Sequence, residues 1–376
     1  MIYFDNSATS YPKPLSVIRR GINALKNYSF NSGRGGYKES IQTAEMIYSV
    51  RESVGKMFDF SPENVIFTKN CTEALNTAIK GVLKKGDHVI ISSLEHNSVS
   101  RVIKKLSDQM MIEYSIAAFS FDEEECVSHF KECIKQNTKA IICMHSSNVF
   151  GCVFPIAKIG RLCRDNEILF IVDAAQGAGA VPISGKLDNI DILCAPGHKC
   201  LMGPMGIGLM AVRDGLEPET LMEGGTGSNS LSFNQPDYLP DRFESGTLNN
   251  SGILALGEGI RFINTIGMEE IYSHEMELYR YLYMAVNDLP HTSLYTPLPE
   301  NGSFMPILSF NLKDYSSEKT ASLLAEHNIC TRAGYHCSPL AHEHFGTVDR
   351  GTVRISFGYF NRKQEVKELI NVLKKL

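Results

Sequence analysis

The sequence lacks several features that would place it in particular classes of protein. It has no dense block of basic residues, and 37 Lys and Arg against 42 Asp and Glu give a formal net charge of -5. This balance argues against a nucleic acid or an acidic membrane as partner. No apolar run is long enough for a membrane-spanning helix. The N-terminal MIYFDNSATS has no basic region before an apolar core, so we expect no secretory signal.

The ten cysteines include no C-x-x-C pair. Cys143 and Cys194 lie in apolar, strand-like runs, where cysteine behaves as a small hydrophobic residue. We therefore expect free thiols and a reducing, cytoplasmic location.

Short apolar runs alternate with helical patterns over the first two thirds of the chain. Continuous apolar runs are typical of strands that are covered on both faces. The predicted strands are 65–68, 87–93, 139–146, 168–175, 191–195 and 207–212. A helix is predicted over 73–86, ending at Gly86. The alternation predicts a doubly wound α/β domain with a mostly parallel sheet.

A chain of 376 residues is too long for one ordinary core, so two domains are expected. After about Gly252 a long helical pattern covers 253–286, and shorter strand and helix patterns follow it. These are strands at 305–312 and 352–360 and helices near 317–327 and 362–376. They predict a smaller C-terminal α+β domain.

Polar residues follow the ends of the predicted strands, where open α/β sheets bind ligands. Asn70 and Glu73 have the spacing of a helix cap, and the helix N-terminus they open could bind an anion or could be only a cap. His96 follows the next strand and could be an ordinary surface or core histidine. Asp173 ends another strand and could cap the next helix, but a buried carboxylate needs a cation or a strong donor.

The run APGHKCLMGPMGIG (195–208) contains a single lysine, Lys199. Because this lysine lies on a flexible turn, its side chain could simply extend into solvent. A desolvated lysine has a lowered pKa and can form a Schiff base with an aldehyde. Pyridoxal 5'-phosphate (PLP) requires such a lysine, an acid for its ring nitrogen and an anion site for its phosphate. Lys199, Asp173 and the cap at 70–73 could supply these groups, and His96 could supply a flat partner for the ring.

The chain resembles the class V aminotransferase-like PLP enzymes and, within them, the cysteine desulfurases and selenocysteine lyases. Ten stretches carry the resemblance over nearly the whole chain. In order they are YFDNSATSYPKP (3–14), FTKNCTEALN (67–76), LEHNS (94–98), SNVFG (147–151), VDAAQGAG (172–179), GHKCLMGPMGIG (197–208), GGTGS (224–228), RFESGTLN (242–249), RAGYHC (332–337) and VRISFGYFN (353–361).

The resemblance implies the fold type I of PLP-dependent transferases, with a large domain over 15–252. A small domain of 1–14 plus 253–376 would carry a catalytic-cysteine loop. Lys199 would hold PLP and move protons at the substrate Cα, Asp173 would pair with the ring nitrogen, Gln176 would bind the ring hydroxyl, and His96 would stack on the ring.

The resemblance also implies a phosphate site and a substrate site. The phosphate ligands would be Cys71, Thr72, His198 and, from the neighbouring subunit of a homodimer, Thr226. The substrate carboxylate would be held by Asn148, Arg354 and Arg332, and the planar fork of Arg354 suits a carboxylate. Two positions depart from the family pattern: Pro196 stands where relatives often have Ser or Thr, and Cys71 where many have Thr. Weaker PLP binding, or binding through water, is expected.

Cys337 lies in a loop-like segment near Arg332 and His336, and such positive or potentially positive groups would favour a thiolate. The resemblance then implies a desulfurase: L-cysteine becomes L-alanine while its sulfur passes to Cys337 as a persulfide. A sulfur-acceptor protein, as in iron-sulfur cluster assembly, would follow, but the sequence does not identify it. Cys337 could instead be structural, or bind zinc together with His336, His342 and His344, although their spacing matches no zinc motif. No metal site is predicted.

Other functions remain open at this point. A selenocysteine lyase, an aminotransferase or another C–S lyase would use the same fold. A non-enzymatic, sulfur-handling scaffold on the PLP fold is the remaining alternative, although the complete set of Lys199, Asp173 and Arg354 argues against it.

Overall fold

The computed structural model describes residues 1–33, 35–298, 302 and 304–376. The strands are β1 Ile2–Tyr3, β2 Val65–Thr68, β3 His88–Ser92, β4 Glu113–Ala117, β5 Thr138–Met144, β6 Leu169–Asp173, β7 Ile192–Pro196, β8 Gly208–Val212, β9 Thr292–Leu294, β10 Ile307–Leu312, β11 Ile329–Cys330, β12 Arg332–Gly334 and β13 Thr352–Ser356. The helices are α1 Leu15–Asn27, α2 Lys38–Phe58, α3 Cys71–Val82, α4 Asn97–Asp108, α5 Glu123–Glu132, α6 Ile156–Asp165, α7 Asn250–Ile266, α8 Met268–Asn287, α9 Ser317–Glu326, α10 Pro339–His344 and α11 Lys363–Leu373.

A seven-stranded sheet forms the centre of the molecule, in the order β2-β8-β7-β6-β5-β3-β4. β8 runs antiparallel to both of its neighbours, and the other neighbouring pairs are parallel. Apolar side chains from the strands enter a separate core on each face of the sheet. Both faces are covered, which explains the continuous apolar runs in the sequence. The predicted α/β fold with a mostly parallel sheet is confirmed.

The six predicted strands of this sheet are all present: β2 has the predicted ends, and the other five differ by one or two residues at one or both ends. The predicted helix 73–86 is wrong at both ends, because α3 begins at Cys71 and stops at Val82. Gly86 lies in the following turn, where its φ of 92° suits glycine.

A second sheet, β12-β13-β10-β9, is antiparallel throughout and lies in the C-terminal part of the chain. β1 pairs in parallel with β11, and Asp5 forms a bridge with Ser356, so the N-terminus packs with this part. We propose 1–14 plus 253–376 as the small domain and 15–252 as the large one. α7 contains this proposed boundary, and it packs on α1 and α2, which belong to the large domain. Among the described residues, no helix is long and apolar enough to span a membrane.

Candidate active site

The order of the central strands brings four of the predicted residues to one edge of the sheet. β7, β6, β5 and β3 are consecutive neighbours. Lys199 follows β7, Asp173 ends β6, Asn148 follows β5 and His96 follows β3. Because parallel strands end at the same edge, residues distant in sequence come together there.

Asp173 is an acid held in dry surroundings, with 2% of its surface exposed. Its Oδ1 accepts hydrogen bonds from the Ala175 backbone N–H at 2.9 Å and from the Cys71 thiol at 3.6 Å. Burial raises the pKa of Asp173, and the Ala175 hydrogen bond and the charge of Lys199 oppose that rise. A cationic group placed against this carboxylate would therefore be bound strongly.

Lys199 has the lowered basicity that Schiff-base chemistry needs. Burial lowers its pKa, and the opposing attraction of Asp173 is the second largest effect. Beside it, the Nδ1 atom of His198 is buried and has no hydrogen-bond partner among the residues that the structure describes. Burial lowers the pKa of His198 to about 4, so its ring is neutral at pH 7.

The sequence analysis missed Lys13, which also lies at this turn. Its Nζ donates to the backbone carbonyl of His198 at 2.6 Å and to Ser10 Oγ at 2.7 Å. Burial lowers the pKa of Lys13 to about 8. Lys13 therefore ties the N-terminal segment to the residue before Lys199. Lys13 lies in YFDNSATSYPKP (3–14), one of the stretches that carry the family resemblance, and this position could have marked it as a site residue.

The N-terminus of α3 forms part of the predicted phosphate site. Asn70 caps the helix, because its side chain accepts from the Glu73 N–H at 2.9 Å, and the Glu73 carboxylate accepts from the Lys69 N–H at 2.6 Å. The first N–H groups of a helix have no partner within it. Thr72 is exposed in this first turn, whereas the Cys71 side chain is buried against Asp173. Cys71 could therefore reach a phosphate only through its backbone.

The ring of His96 has a fixed orientation. Its Nδ1 accepts from the Ser98 backbone N–H at 3.1 Å, which caps α4. Burial, and then the nearby charges of Lys199 and Arg332, lower its pKa to about 4. His96 is thus a neutral, oriented ring, which is what stacking on a flat cofactor requires. Gln176 is also buried, and its Nε2 donates to the Ser7 carbonyl at 3.2 Å.

Arg354 is 1% exposed and has a partner that the sequence analysis missed. One guanidinium nitrogen, Nη2, donates to the Asp5 carboxylate at 2.6 Å, and Nη1 donates to the Asn148 backbone carbonyl at 2.8 Å. Its Nε is buried, and none of the described residues forms a hydrogen bond with it. Arg332 lies directly opposite Arg354 in the β12–β13 ladder. In the sequence, Asp5 could have been noticed as a carboxylate that directly follows the apolar start of the chain.

Cys337 is exposed, while its neighbours His336 and Ser338 are buried. It lines a cleft of about 420 Å³ that Thr72 and His96 also line. Burial lowers the pKa of His336 well below its usual value. The expectation of positive charge on His336 is therefore wrong, because a ring buried this way is neutral at pH 7.

The predicted residues do not all meet within one chain. Thr226 lies on the segment between β8 and α7, and its Oγ1 lies 2.9 Å from Ser228 Oγ. It lines a separate cavity of about 170 Å³ together with Arg51 and Glu244. Its contact with the phosphate of a neighbouring subunit stays a prediction.

The histidines near Cys337 are engaged elsewhere. His336 Nε2 donates to the Thr352 carbonyl at 3.1 Å, and His342 Nδ1 lies 2.6 Å from Thr347 Oγ1. Within the part of the chain that the structure describes, no three His, Cys, Asp or Glu side chains are grouped so that they could hold a metal ion.

The chemistry of these residues fits PLP. The site offers an amine of lowered pKa, Lys199, and a buried acid, Asp173, for the ring nitrogen. It also offers a helix N-terminus at Thr72 and the unpaired, buried Nδ1 of His198 for the phosphate.

Comparison with known proteins agrees with this chemistry. Over 388 aligned residues the chain is 31% identical to a protein named probable cysteine desulfurase from Methanothermobacter thermautotrophicus, covering 100% of this chain and 94% of that protein. A protein of the same name from Borreliella burgdorferi is 32% identical, covering 100% and 92%. The apo structure of a cysteine desulfurase from Thermococcus onnurineus superposes with a TM-score of 0.92 at 30% identity, covering 100% and 94%. The family model for class-V aminotransferases matches residues 2–369, and the chain therefore belongs to the class-V aminotransferase family.

Proposed function

We propose that this protein is a PLP-dependent cysteine desulfurase that converts L-cysteine to L-alanine and keeps the sulfur as a persulfide on Cys337. The observation that carries the proposal is the position of Cys337. Its exposed thiol lines the same cleft as His96 and Thr72, which belong to the candidate PLP site. The relatives named cysteine desulfurase over the full chain support the same activity.

Lys199, Asp173 and Arg354 would prepare the substrate for reaction. PLP, when bound, supplies an electron sink for the carbon from which a proton is removed. Arg354 would hold the substrate carboxylate through its guanidinium fork, since its planar donors match two carboxylate oxygens. Lys199 would take the Cα proton, because burial lowers the pKa of its amine and so favours the neutral form. Asp173 would hold the proton on the ring nitrogen.

Cys337 would perform the sulfur transfer. Its thiolate attacks the substrate sulfur, and an S–S bond forms as the C–S bond breaks. The electron pair of the C–S bond stays with the carbon skeleton, which then takes up a proton and leaves as alanine. In total, the enzyme thiol and cysteine give the enzyme persulfide and alanine, with no external oxidant.

We further propose that the protein works as a homodimer. α1 presents a stripe of exposed apolar side chains at helical spacing: Leu15, Ile18, Ile22 and Leu25. Exposed apolar stripes of this kind mark interfaces between proteins. Thr226, which lies away from Lys199 in its own chain, would reach the cofactor phosphate of the partner subunit across such an interface.

A protein acceptor would collect the persulfide. Cys337 borders an open groove of about 930 Å³ whose lining includes Tyr114, Ile116 and the basic residues Arg101 and Lys105. We propose that an acidic acceptor protein docks in this groove. We also propose that the protein works in a reducing cytoplasm, which keeps its ten cysteines free. Iron-sulfur cluster assembly is one pathway that the acceptor could serve.

The activity is tested by incubating the PLP-reconstituted protein with L-cysteine and a reducing thiol while alanine and sulfide are measured. We expect equal amounts of both, with Lys199→Ala as the inactive control. Pyruvate and ammonia in place of alanine would indicate β-elimination, and transfer of the amino group to a keto acid would indicate an aminotransferase. Turnover of selenocysteine but not cysteine would indicate a selenocysteine lyase.

A further inference from the structure

The backbone around Cys337 adopts a conformation that needs outside support. His336 has a φ of 49° and Cys337 a φ of 60°. Left-handed backbone is uncommon for residues other than glycine and is strained where it occurs. Two consecutive residues of this kind persist only where surrounding contacts hold them in place.

Asn148 provides such contacts on both sides of Cys337. Its Nδ2 donates to the His336 carbonyl at 2.8 Å, and its Oδ1 accepts from Ser338 Oγ at 2.7 Å. Asn148 is 7% exposed and Ser338 is fully buried, so water cannot readily replace either bond. A third contact holds Cys337 itself, because the Asn97 N–H donates to its carbonyl at 2.8 Å.

We propose that Asn148 and Ser338 form a clamp that positions the Cys337 thiol at the cleft before substrate arrives. Both polar ends of the Asn148 side chain are engaged by the loop, while its backbone carbonyl accepts from Arg354 at 2.8 Å. Asn148 therefore links the nucleophile loop to the residue proposed to hold the substrate carboxylate. The catalytic effect of the clamp rests on the proposed function, but the geometry of the clamp does not depend on that function.

This assignment differs from the substrate-ligand role that the family resemblance implies for Asn148. Because its nitrogen and its oxygen each bind the loop, the Asn148 amide has a single N–H left to donate to a substrate carboxylate. Ser338 separates the two roles, because its hydroxyl binds Asn148 and would have no part in a substrate site.

The decisive variant is Ser338→Ala, and Ser317→Ala is its matched control. Ser317 is also fully buried and donates one hydrogen bond, to the Arg350 carbonyl at 2.8 Å. In Ser338→Ala we expect kcat for alanine formation to fall about 10- to 100-fold, since small displacements of a reacting group cost this much. The KM for cysteine should change less than about two-fold, and the PLP absorption spectrum should not change. Ser317→Ala should retain the wild-type kcat.

Amide hydrogen exchange of the resting protein gives a readout that is independent of activity. The Asn97 N–H bonds to Cys337 and the Ser338 N–H bonds to the Tyr335 carbonyl, so both amides report on the loop. We expect both to exchange faster in Ser338→Ala and unchanged in Ser317→Ala. If wild-type protein produces no alanine, the proposed function fails, whereas the exchange experiment still decides whether the clamp exists.

Asn148→Ala and the double variant with Ser338→Ala complete the test. A shared clamp predicts that the double variant loses no more kcat than Asn148→Ala alone. Wild-type kcat and wild-type amide exchange in Ser338→Ala would overturn the proposal. So would a raised KM in Asn148→Ala together with a silent Ser338→Ala, which would return Asn148 to the substrate carboxylate.

Discussion

The guanidinium of Arg354 and the carboxylate of Asp5 form an ion pair at 2.6 Å, although 349 positions separate them in the chain. Arg354 is almost completely buried, and a buried charge needs a partner. The N-terminal segment supplies that partner from the loop after β1. The candidate substrate site is therefore completed by both ends of the chain.

Replacing Arg354 by lysine tests its role toward the substrate. Arg354→Lys keeps the positive charge but loses the planar fork, so two-point binding of a carboxylate is no longer available. We expect the KM for cysteine to rise about ten-fold or more, as loss of a charge-assisted hydrogen bond predicts. The affinity for PLP should be unchanged. An unaltered KM would remove Arg354 from the carboxylate site.

Cys71 tests the contact between its thiol and Asp173. Burial and the Asp173 carboxylate raise the pKa of the Cys71 thiol, so it stays protonated and can donate. A hydroxyl is a stronger donor, so Cys71→Ser should stabilise the charged carboxylate that binds the ring nitrogen. We expect a Kd for PLP about 2- to 10-fold lower in Cys71→Ser, and a higher one in Cys71→Ala.

PLP titration followed by absorbance measures these constants. Cys163→Ala is the matched control, because Cys163 is buried on α6 and has no contact with Asp173 among those that the structure describes. Equal PLP affinity in all of the Cys71 variants would show that the thiol contact has no effect on the cofactor.

Much of the fold follows from the sequence, because the strands of the central sheet are covered on both faces. β7 is apolar throughout, and β3 and β5 each contain a continuous apolar stretch, so hydrophobicity alone locates these strands. β4 was not predicted: it is an edge strand with the sequence EYSIA, largely exposed, which gives no continuous apolar run. Helix ends are weaker signals still, as α3 shows.

The candidate site divides in the same way. Asp173 and Lys199 could be predicted because a charged residue after an apolar strand is unusual whatever lies around it. The role of Ser338 could not be predicted, because it acts through Asn148, far away in the chain. Asp5 stands out as a carboxylate after an apolar start, but its partner Arg354 could not be identified from the sequence. The neutral state of His336 was also hidden, since it follows from burial and not from residue type.

Glu95 provides a prediction on stability as a function of pH. It is fully buried, and its Oε1 accepts from Ser92 Oγ at 2.6 Å and from the Met144 N–H at 2.7 Å. Its Oε2 has no hydrogen-bond partner in the described part of the chain. Burial raises its pKa to about 8 from an unfolded value of 4.5. Between these values the folded protein holds a proton that the unfolded chain has lost, so stability falls as pH rises.

Glu95→Gln should remove this contribution, because an uncharged amide resembles the protonated acid. We expect wild type to lose stability from about pH 4.5 to about 8, with a slope of at most about 1.4 kcal/mol per pH unit from this residue. The free energy of unfolding, measured with denaturant over this pH range, should fall less in Glu95→Gln than in wild type. The control Glu368→Gln, at an exposed position on α11, should lose as much as wild type. Parallel curves for wild type and Glu95→Gln would contradict the prediction.

The central claim is that substrate sulfur passes to Cys337. Serine is nearly isosteric with cysteine, but its hydroxyl stays protonated and is a poor nucleophile toward sulfur. Cys337→Ser should therefore retain the yellow colour of PLP and the spectral change on adding cysteine. It should make neither alanine nor sulfide, while the control Cys133→Ser, at a half-buried cysteine at the end of α5, should remain active.

The most direct measurement is peptide mass spectrometry of wild-type protein after reaction with L-cysteine and a thiol-blocking reagent. We expect one extra sulfur atom on the peptide that contains Cys337 and none on the peptides of the other nine cysteines. Extra sulfur on a different cysteine, or full desulfuration by Cys337→Ser, would contradict it.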